Sequence, residues 1–166
     1  VIAGVAALLL AAGGYAAGAR VNTTKSIPVG LYWTSSAPVE KGAYVLFCPP
    51  QLGVFDDAKE RGYIGAGFCQ GGYGYMMKRV LAAKDDAVAV ADDGVRVNGE
   101  LLPLSAPIKA DKAGRPLPRY QSNSYTLGNS EVLLMSDVSA TSFGGRYFGP
   151  VNRSQIKTVI RPVITW

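Results

Sequence analysis

The chain opens with a continuous run of apolar residues and then changes to short alternating segments. Residues 1–19 contain no charged side chain, and Arg20 closes the run. Nineteen helical residues would span about 28 Å, close to the ~30 Å hydrocarbon core of a bilayer. The run therefore predicts a transmembrane anchor over residues 1–20, followed by an extramembrane domain over residues 21–166.

A cleaved signal peptide is the alternative interpretation of this run. Ala17 and Ala19 form an A-x-A pattern of the kind found at cleavage sites. The apolar core of a signal peptide is usually about 7–15 residues long, so the greater length here favours the anchor. Gly14 and Gly18 form a GxxxG pair, which would let two helices pack closely and predicts a homodimer through the anchor.

Beyond residue 20 the hydrophobic pattern indicates strands. Short runs rich in Val, Ile, Leu and Tyr are bounded by Gly, Pro, Asp and Asn. We predict strands at 43–47, 75–82, 87–91, 95–97, 124–127, 131–135 and 155–164, a helix at 50–61, and a long loop at 104–123. Asp92-Asp93-Gly94 and Asn98-Gly99 are hairpin-turn signals. The domain is therefore predicted to be mainly β, as an antiparallel sandwich or barrel.

Composition excludes several kinds of chemistry. The sequence has no histidine, which rules out a Ser-His-Asp triad, a Cys-His dyad and an HExxH zinc site. Two cysteines cannot build a four-cysteine zinc or iron–sulfur site, so we predict no metal and no other cofactor. The net charge of +5 is mildly basic, and without a concentrated basic run or zinc-finger motif we predict no nucleic-acid partner.

The two cysteines bear on the compartment. Cys48 and Cys69 would suit one disulfide in a small membrane-anchored domain exposed to an oxidising environment. Two buried free thiols are the alternative. A disulfide favours the extracytoplasmic face, whereas Arg20 and Lys25 just after the apolar run favour the cytoplasmic side under the positive-inside rule.

Ser26 is a candidate nucleophile close to the end of the apolar run. Pro28 and Gly30 follow it and predict a rigid turn, which could expose the hydroxyl and aim backbone N–H groups at an oxyanion. A plain loop serine is the alternative.

Lys78 is a candidate base for such a serine. On a strand, Met76, Lys78 and Val80 share one face, and an inward lysine there would be desolvated. Desolvation lowers the pKa of an ammonium group towards neutrality, and the neutral amine can take a proton from a serine hydroxyl. The alternative is a solvent-facing Lys78 with Arg79 inward.

Four segments carry a family resemblance. SIPVGLY, MKRVLAAKDD, VRVNGE and SFGGRYFGPV occur in this order after the apolar run. The chain resembles a type I signal peptidase of the conjugative-transfer, TraF-like branch, and the likeness extends to about Val151. Pro28 stands two residues after Ser26, where general signal peptidases place the proline three residues after it, which favours this branch.

The resemblance implies roles for particular residues. Ser26 would be the nucleophile, with its backbone N–H in the oxyanion hole, and Lys78 the general base. Ser142 would orient the lysine, and Arg146 would match the arginine of an Asp-Ser-Arg triplet.

The chain departs from the family pattern at this triplet. Gly144 and Gly145 stand where the family has Asp and Ser, so the carboxylate expected near Arg146 is missing. Asp137 is the predicted substitute.

The implied activity is that of a serine endopeptidase on the periplasmic face of the bacterial inner membrane. Its fold would be a signal-peptidase-like antiparallel β domain after one transmembrane helix. It would cut a membrane-embedded precursor, a propilin or a signal peptide, after a small residue and beside membrane lipid, and acyl transfer to an amine would cyclise a pilin. One alternative is a non-catalytic, membrane-anchored β domain of a conjugation or secretion assembly. Another is a self-cleaving repressor, which the apolar run and the missing DNA-reading helices disfavour.

Overall fold

The computed structural model describes residues 2–166, in which eleven short strands make up most of the regular structure. The strands are β1 (Ala19–Asn22), β2 (Gly30–Ser35), β3 (Tyr44–Phe47), β4 (Met76–Ala82), β5 (Ala87–Ala91), β6 (Gly94–Val97), β7 (Glu100–Leu101), β8 (Ser122–Thr126), β9 (Glu131–Met135), β10 (Val151–Asn152) and β11 (Ile156–Thr165). All of their pairings are antiparallel. The prediction of a mainly β, antiparallel domain is confirmed.

The strands form two sheets. A seven-stranded sheet has the order β1-β2-β11-β3-β4-β9-β10, and a four-stranded sheet has the order β7-β6-β5-β8. Both predicted hairpin turns are present, since Asp92-Asp93 joins β5 to β6 and Asn98-Gly99 joins β6 to β7. Asn98 and Gly99 have φ values of 53° and 85°, the left-handed conformation that a tight two-residue hairpin turn requires.

Strand β9 connects the cores of the two sheets because it is apolar on both faces. Val132 and Leu134 pack into the core of the large sheet, whereas Leu133 and Met135 pack with the valines of the small sheet. All four side chains are buried. A strand covered on both sides is expected to have such a continuous hydrophobic run. The neighbouring strand β4 therefore pairs with a strand, β9, that is held by both cores.

Three helices accompany the sheets. They are α1 (Ile2–Ala17), α2 (Gly53–Glu60) and α3 (Gly145–Phe148), and two single 3-10 turns lie at Gln70–Gly72 and Arg153–Gln155. The predicted helix over 50–61 is confirmed with shorter bounds, and α2 buries Phe55 and Ala58 against the large sheet.

The N-terminal segment differs from the predicted transmembrane anchor over 1–20. Helix α1 ends at Ala17 and strand β1 begins at Ala19, while Val1 lies outside the described residues. Gly18 makes the turn with a φ of 116°, and a Cβ there would lie 2.4 Å from Thr34 Oγ1. Within residues 2–166, no helix combines the length and the apolar character needed to cross a membrane. The predicted spanning helix is therefore not supported, and residues 19–20 belong to the sheet.

Gly14 and Gly18, the predicted helix-packing pair, do not lie on one helix. Gly14 is in α1, but Gly18 follows its end and packs against Trp33. The close helix pairing expected from this motif loses its basis, and a homodimer stays a prediction. Helix α1 itself has no buried residue, so Leu8 and Leu9 are exposed on it.

Cys48 and Cys69 form a disulfide, as predicted. The bond joins the chain just after β3 to the loop that precedes β4, and both residues are buried. The alternative of two free thiols is wrong. The disulfide fixes the segment leading into β4 against the core.

The predicted long loop over 104–123 is confirmed with shifted bounds, because residues 102–121 connect β7 to β8 and residues 122–123 belong to β8. Most of it is irregular, but Ala110 and Pro116 form an isolated antiparallel bridge. The amide of Leu117 also bonds to the carbonyl of Lys109. Residues 109–117 therefore form a small hairpin, called the 109–117 hairpin below.

Candidate active site

Ser26 lies in the loop of residues 23–29 that joins β1 to β2. Asn22 and Gly30 pair at the ends of these strands, so the loop closes a hairpin. The Oγ of Ser26 lies 2.7 Å from Thr24 Oγ1. A Cβ at Gly30 would lie 2.2 Å from the carbonyl oxygen of Ile164, so the close approach of β11 requires glycine there.

Lys78 is buried on the inward face of β4. Met76, Lys78 and Val80 are buried, whereas Arg79 is partly exposed, because successive side chains of a strand point to opposite faces. Lys78 is 2% exposed, and its Nζ donates a hydrogen bond to Ser142 Oγ at 2.6 Å. The inward orientation is confirmed, and the solvent-facing alternative is wrong.

The environment of Lys78 favours its neutral form. Burial lowers the pKa of its ammonium group to about 7, and the positive charge of Arg146 contributes in the same direction. The cause is physical, because the charged form loses its hydration and gains a like-charged neighbour. Much of Lys78 is therefore an uncharged amine near neutral pH, which a general base requires.

Arg146 is fully buried in α3 and is held by backbone carbonyls. Its guanidinium donates to the carbonyl oxygens of Leu104 (2.7 Å), Ala106 (3.1 Å), Ala140 (3.0 Å) and Ser139 (3.2 Å). Burial lowers its pKa. Within residues 2–166 no carboxylate forms a salt bridge with it. Its charge is left uncompensated and acts on Lys78.

Asp137 does not supply the carboxylate predicted beside Arg146. Its Oδ2 accepts a hydrogen bond from Arg79 Nη1 at 2.5 Å. Arg79 follows Lys78 in β4, so its side chain leaves the strand on the opposite face. Asp137 is therefore paired on the side of β4 away from the buried amine, which corrects the prediction.

Gly144 and Gly145 bring the start of α3 onto β9. A Cβ at Gly145 would lie 2.6 Å from Leu133 Cδ1, and one at Gly144 would lie 3.3 Å from Met135 Cα. The first distance is well below an ordinary contact of about 3.5–4.0 Å between carbon atoms. The two glycines thus allow the start of α3 to pack closely on β9. The Asp and Ser side chains that the family has at these positions would push the two elements apart.

A cleft of about 650 Å³ unites the predicted nucleophile and base. Ser26, Lys78 and Ser142 line it, together with Tyr63 and part of the 109–117 hairpin. Among the hydrogen bonds of residues 2–166, none joins Ser26 to Lys78, and Ser26 Oγ contacts Thr24 instead. The cleft thus brings the two predicted residues to one place without a direct hydrogen bond between them.

The sequence of this chain matches a known family over its described length. The family described as "Signal peptidase, peptidase S26" matches residues 2–166. The chain belongs to this signal peptidase family. The resemblance stated from four short segments is thereby confirmed.

Two relatives of this signal peptidase family member have names that refer to plasmid transfer or conjugal transfer. It is 99% identical over 166 residues to a "Plasmid transfer protein TraF" of Escherichia coli, covering 100% of this chain and 93% of that protein. It is 34% identical over 168 residues to a "Conjugal transfer protein TraF" of Agrobacterium fabrum, covering 98% and 93%. A solved signal peptidase I from Enterococcus faecalis aligns with 76% of this chain and 100% of its own, with 16% identity and a TM-score of 0.42.

Sequence reasoning missed several residues around the signal-peptidase cleft. Asn22 and Thr24 contact the Ser26 loop from within, and Tyr63 donates a hydrogen bond to Asp111 of the 109–117 hairpin. Asn22 had a visible signal, because an asparagine two residues before a threonine at a chain reversal is typical of an Asx-turn. The Tyr63–Asp111 contact joins distant segments and had no local signal.

Proposed function

We propose that this chain is a serine endopeptidase in which Ser26 is the nucleophile and Lys78 the general base. The observation that carries the proposal is the buried Lys78, with its lowered pKa, in the cleft that Ser26 also lines. A serine hydroxyl is a weak nucleophile until a neighbouring base removes its proton. With no histidine in the chain, a lysine of lowered pKa is the base that the cleft offers.

The reaction follows from the two groups. Ser26 Oγ attacks the carbonyl carbon of the scissile peptide while Lys78 Nζ accepts the hydroxyl proton. The backbone N–H of Ser26 donates to the developing oxyanion. The C–N bond then breaks, Lys78 returns the proton to the leaving amine, and the acyl group remains on Ser26 as an ester. Ser142, which accepts a hydrogen bond from Lys78, orients the amine.

The second half of the reaction decides the product. Water attacking the ester, with Lys78 taking its proton, releases a free carboxylate and restores Ser26. If an amine of the same substrate attacks instead, a new peptide bond closes the chain into a ring. We propose a conjugative pilin precursor as the substrate, which the names of the relatives support.

We further propose that the domain works at the periplasmic face of the bacterial inner membrane. The exposed apolar side chains of α1 support contact with lipid, and the disulfide between Cys48 and Cys69 suits an oxidising compartment. A precursor held in the same membrane would then reach the cleft by a two-dimensional search.

A non-catalytic role in a conjugation assembly is the second candidate. Two observations favour it: Ser26 contacts Thr24 rather than Lys78, and Gly144-Gly145 replace the usual Asp-Ser. Such a protein would bind the precursor without cutting it.

The deciding experiment incubates the full chain in lipid with a membrane-embedded pilin precursor. Ser26→Ala and Lys78→Ala are each expected to slow cleavage at least ~1,000-fold. The control variants Ser124→Ala and Lys84→Ala remove an exposed serine and an exposed lysine and should cleave normally. The product mass separates hydrolysis from cyclisation, because the ring lacks one water.

Two results would contradict the proposal. Cleavage retained by a folded Lys78→Ala protein would exclude Lys78 as the base. A folded wild-type protein that binds the precursor and never cuts it would support the assembly role.

A further inference from the structure

The loop that carries Ser26 is built around one buried side chain. Asn22, the last residue of β1, is 3% exposed. Its carboxamide nitrogen donates to the carbonyl oxygens of Thr24 (2.7 Å), Ile27 (2.9 Å) and Pro28 (3.1 Å). Its carboxamide oxygen accepts from the amide of Thr24 at 3.2 Å and from the Thr24 hydroxyl at 3.0 Å.

These bonds satisfy backbone groups of the loop that no neighbouring strand pairs. Carbonyl groups turned into a hairpin loop have no partner strand, and a buried carbonyl without a donor is costly. The two hydrogens of the Asn22 carboxamide serve three such carbonyls, so one hydrogen is shared. Asparagine combines donor and acceptor in one short side chain, whereas aspartate lacks the donor and leucine lacks both.

The same side chain controls the direction of the Ser26 hydroxyl. A threonine hydroxyl has a single hydrogen, and that of Thr24 is given to the Asn22 oxygen. Thr24 Oγ1 therefore acts as an acceptor in its 2.7 Å contact with Ser26 Oγ. The Ser26 hydrogen then points to Thr24 in the resting enzyme.

We propose that Asn22 is a positioning residue for the nucleophile, because it shapes the 23–29 loop and so places Ser26 Oγ in the cleft, while the contact with Thr24 holds the hydroxyl until substrate binds. This inference rests on the proposed peptidase function. Asn22 lines the cleft, and its hydrogen bonds go to Thr24, Ile27 and Pro28 rather than to Lys78, so it acts on the nucleophile through the loop. The loop has two further anchors, because Tyr32 donates to the carbonyl of Pro28 and Ser136 donates to that of Lys25.

Kinetics of the full chain in lipid provide the first test. Asn22→Leu removes all the hydrogen bonds at similar size, and Asn22→Asp keeps the acceptor and loses the donor. Each is expected to lower kcat about 10- to 100-fold, because a displacement of about 1 Å at a reacting group has effects of that size. KM should stay within about threefold. In Asn22→Leu, which adds no charge, the pH at which the rate falls through protonation of Lys78 should not move.

Asn152 provides the matched control. It lies exposed at the end of β10, where its side chain accepts a hydrogen bond from the amide of Ser154. Asn152→Leu and Asn152→Asp make the same chemical changes away from the cleft and should keep wild-type kcat.

Hydrogen exchange gives a readout that does not depend on activity. In Asn22→Leu, and also in a Ser26→Ala background, the Thr24 amide should exchange faster while the amides of Arg20 and Tyr32, a hydrogen-bonded pair of β1 and β2, stay protected. If the wild type proves inactive, the peptidase proposal fails while this measurement still reports on the loop.

Two outcomes would overturn the inference. One is wild-type kcat in Asn22→Leu although the protection of Thr24 is lost. The other is loss of kcat together with lost protection at Arg20 and Tyr32, which would make the role of Asn22 structural.

Discussion

Lys78 owes its lowered pKa to two features that can be changed separately. Burial disfavours the ammonium group, and the guanidinium of Arg146, which no carboxylate among the described residues neutralises, adds like-charge repulsion. The lowered pKa of Lys78 thus comes from an uncompensated buried arginine as well as from desolvation. Arg146 also ties the carbonyls of two loops together, which a simple charge would not do.

The rate of cleavage should depend on pH through Lys78 and respond to Arg146. Because the pKa of Lys78 is about 7, kcat/KM should rise with pH through this region as the amine loses its proton. Arg146→Gln removes the positive charge, raises the pKa of Lys78 and should lower the relative rate at pH 6.5 by about threefold or more. Arg146→Lys keeps a charge and is the control. An acid limb that is the same in Arg146→Gln and the wild type would contradict this account.

Lys78 should make the free energy of unfolding rise with pH. A carboxylate whose pKa is raised by burial would have the opposite effect. The pKa of Lys78 is about 7 in the folded state and near 10.5 when unfolded, so between these values the unfolded chain binds more protons. Burial of Lys78 therefore destabilises the fold most below pH 7, and this cost fades as the pH rises towards 10.5. Lys78→Met should stabilise the protein by about 1–4 kcal/mol at pH 6 and much less at pH 10. Urea unfolding at both values measures this, with the exposed Lys84→Met as control, and an equal gain at both would refute it.

The 109–117 hairpin is an element whose order depends on one carboxylate. Asp111 accepts hydrogen bonds from the Tyr63 hydroxyl, from the amides of Ala113 and Arg115, and from Arg115 Nε at 2.7 Å. These donors, the Tyr63 hydroxyl foremost, hold the pKa of Asp111 below its usual range. Because the hairpin lines the cleft, its order shapes the wall on which substrate would lie.

Asp111→Asn should loosen this hairpin without unfolding the sheets. An amide can still accept hydrogen bonds, but it loses the charge that strengthens those from Tyr63 and Arg115. Trypsin should then cut after Lys112 about fivefold faster or more, since local opening becomes easier. Asp93→Asn, which breaks an exposed pair with Arg96, is the control. Unchanged digestion of Asp111→Asn would show that the backbone alone orders the hairpin.

Elements with local signals were predictable from the sequence, and elements defined by distant partners were not. Strand β5 and the Asp92-Asp93 turn follow from alternation and turn chemistry, and their bounds agree. Strand β1 was missed because Ala19 and Arg20 were assigned to the predicted anchor over 1–20, and strand β2 was missed because Pro28 and Gly30 predict a turn. The burial of Lys78 could be anticipated from its strand face. The carbonyl partners of Arg146 and the Asp137–Arg79 pair could not, because they join separate segments.

At the scale of the whole molecule, the strand order assembles the site from distant segments. Strand β4 lies between β3 and β9 and presents Lys78 to the cleft, while the β1–β2 hairpin at the sheet edge presents Ser26. Ser142 arrives from the segment between β9 and α3. Helix α1 leads directly into β1, and β1 ends at the Ser26 loop. A surface that binds α1 therefore also sets how far the Ser26 loop lies from that surface.

Helix α1 should therefore bind lipid and hold the cleft near it. Its leucines at positions 8, 9 and 10 are each about 70% or more exposed, at 72%, 69% and 78%, and point in different directions around the helix. Burying each leucine in an apolar medium stabilises binding by about 1.5–3 kcal/mol. Replacing all three with lysine should lower partitioning of the full chain onto phosphatidylcholine vesicles by at least about tenfold, measured by flotation. Uncharged vesicles remove the attraction due to the net charge of +5. Ala113→Lys, on the 109–117 hairpin, adds charge away from α1 and should float like the wild type. Equal flotation of the triple-lysine variant and the wild type would show that α1 does not carry the contact.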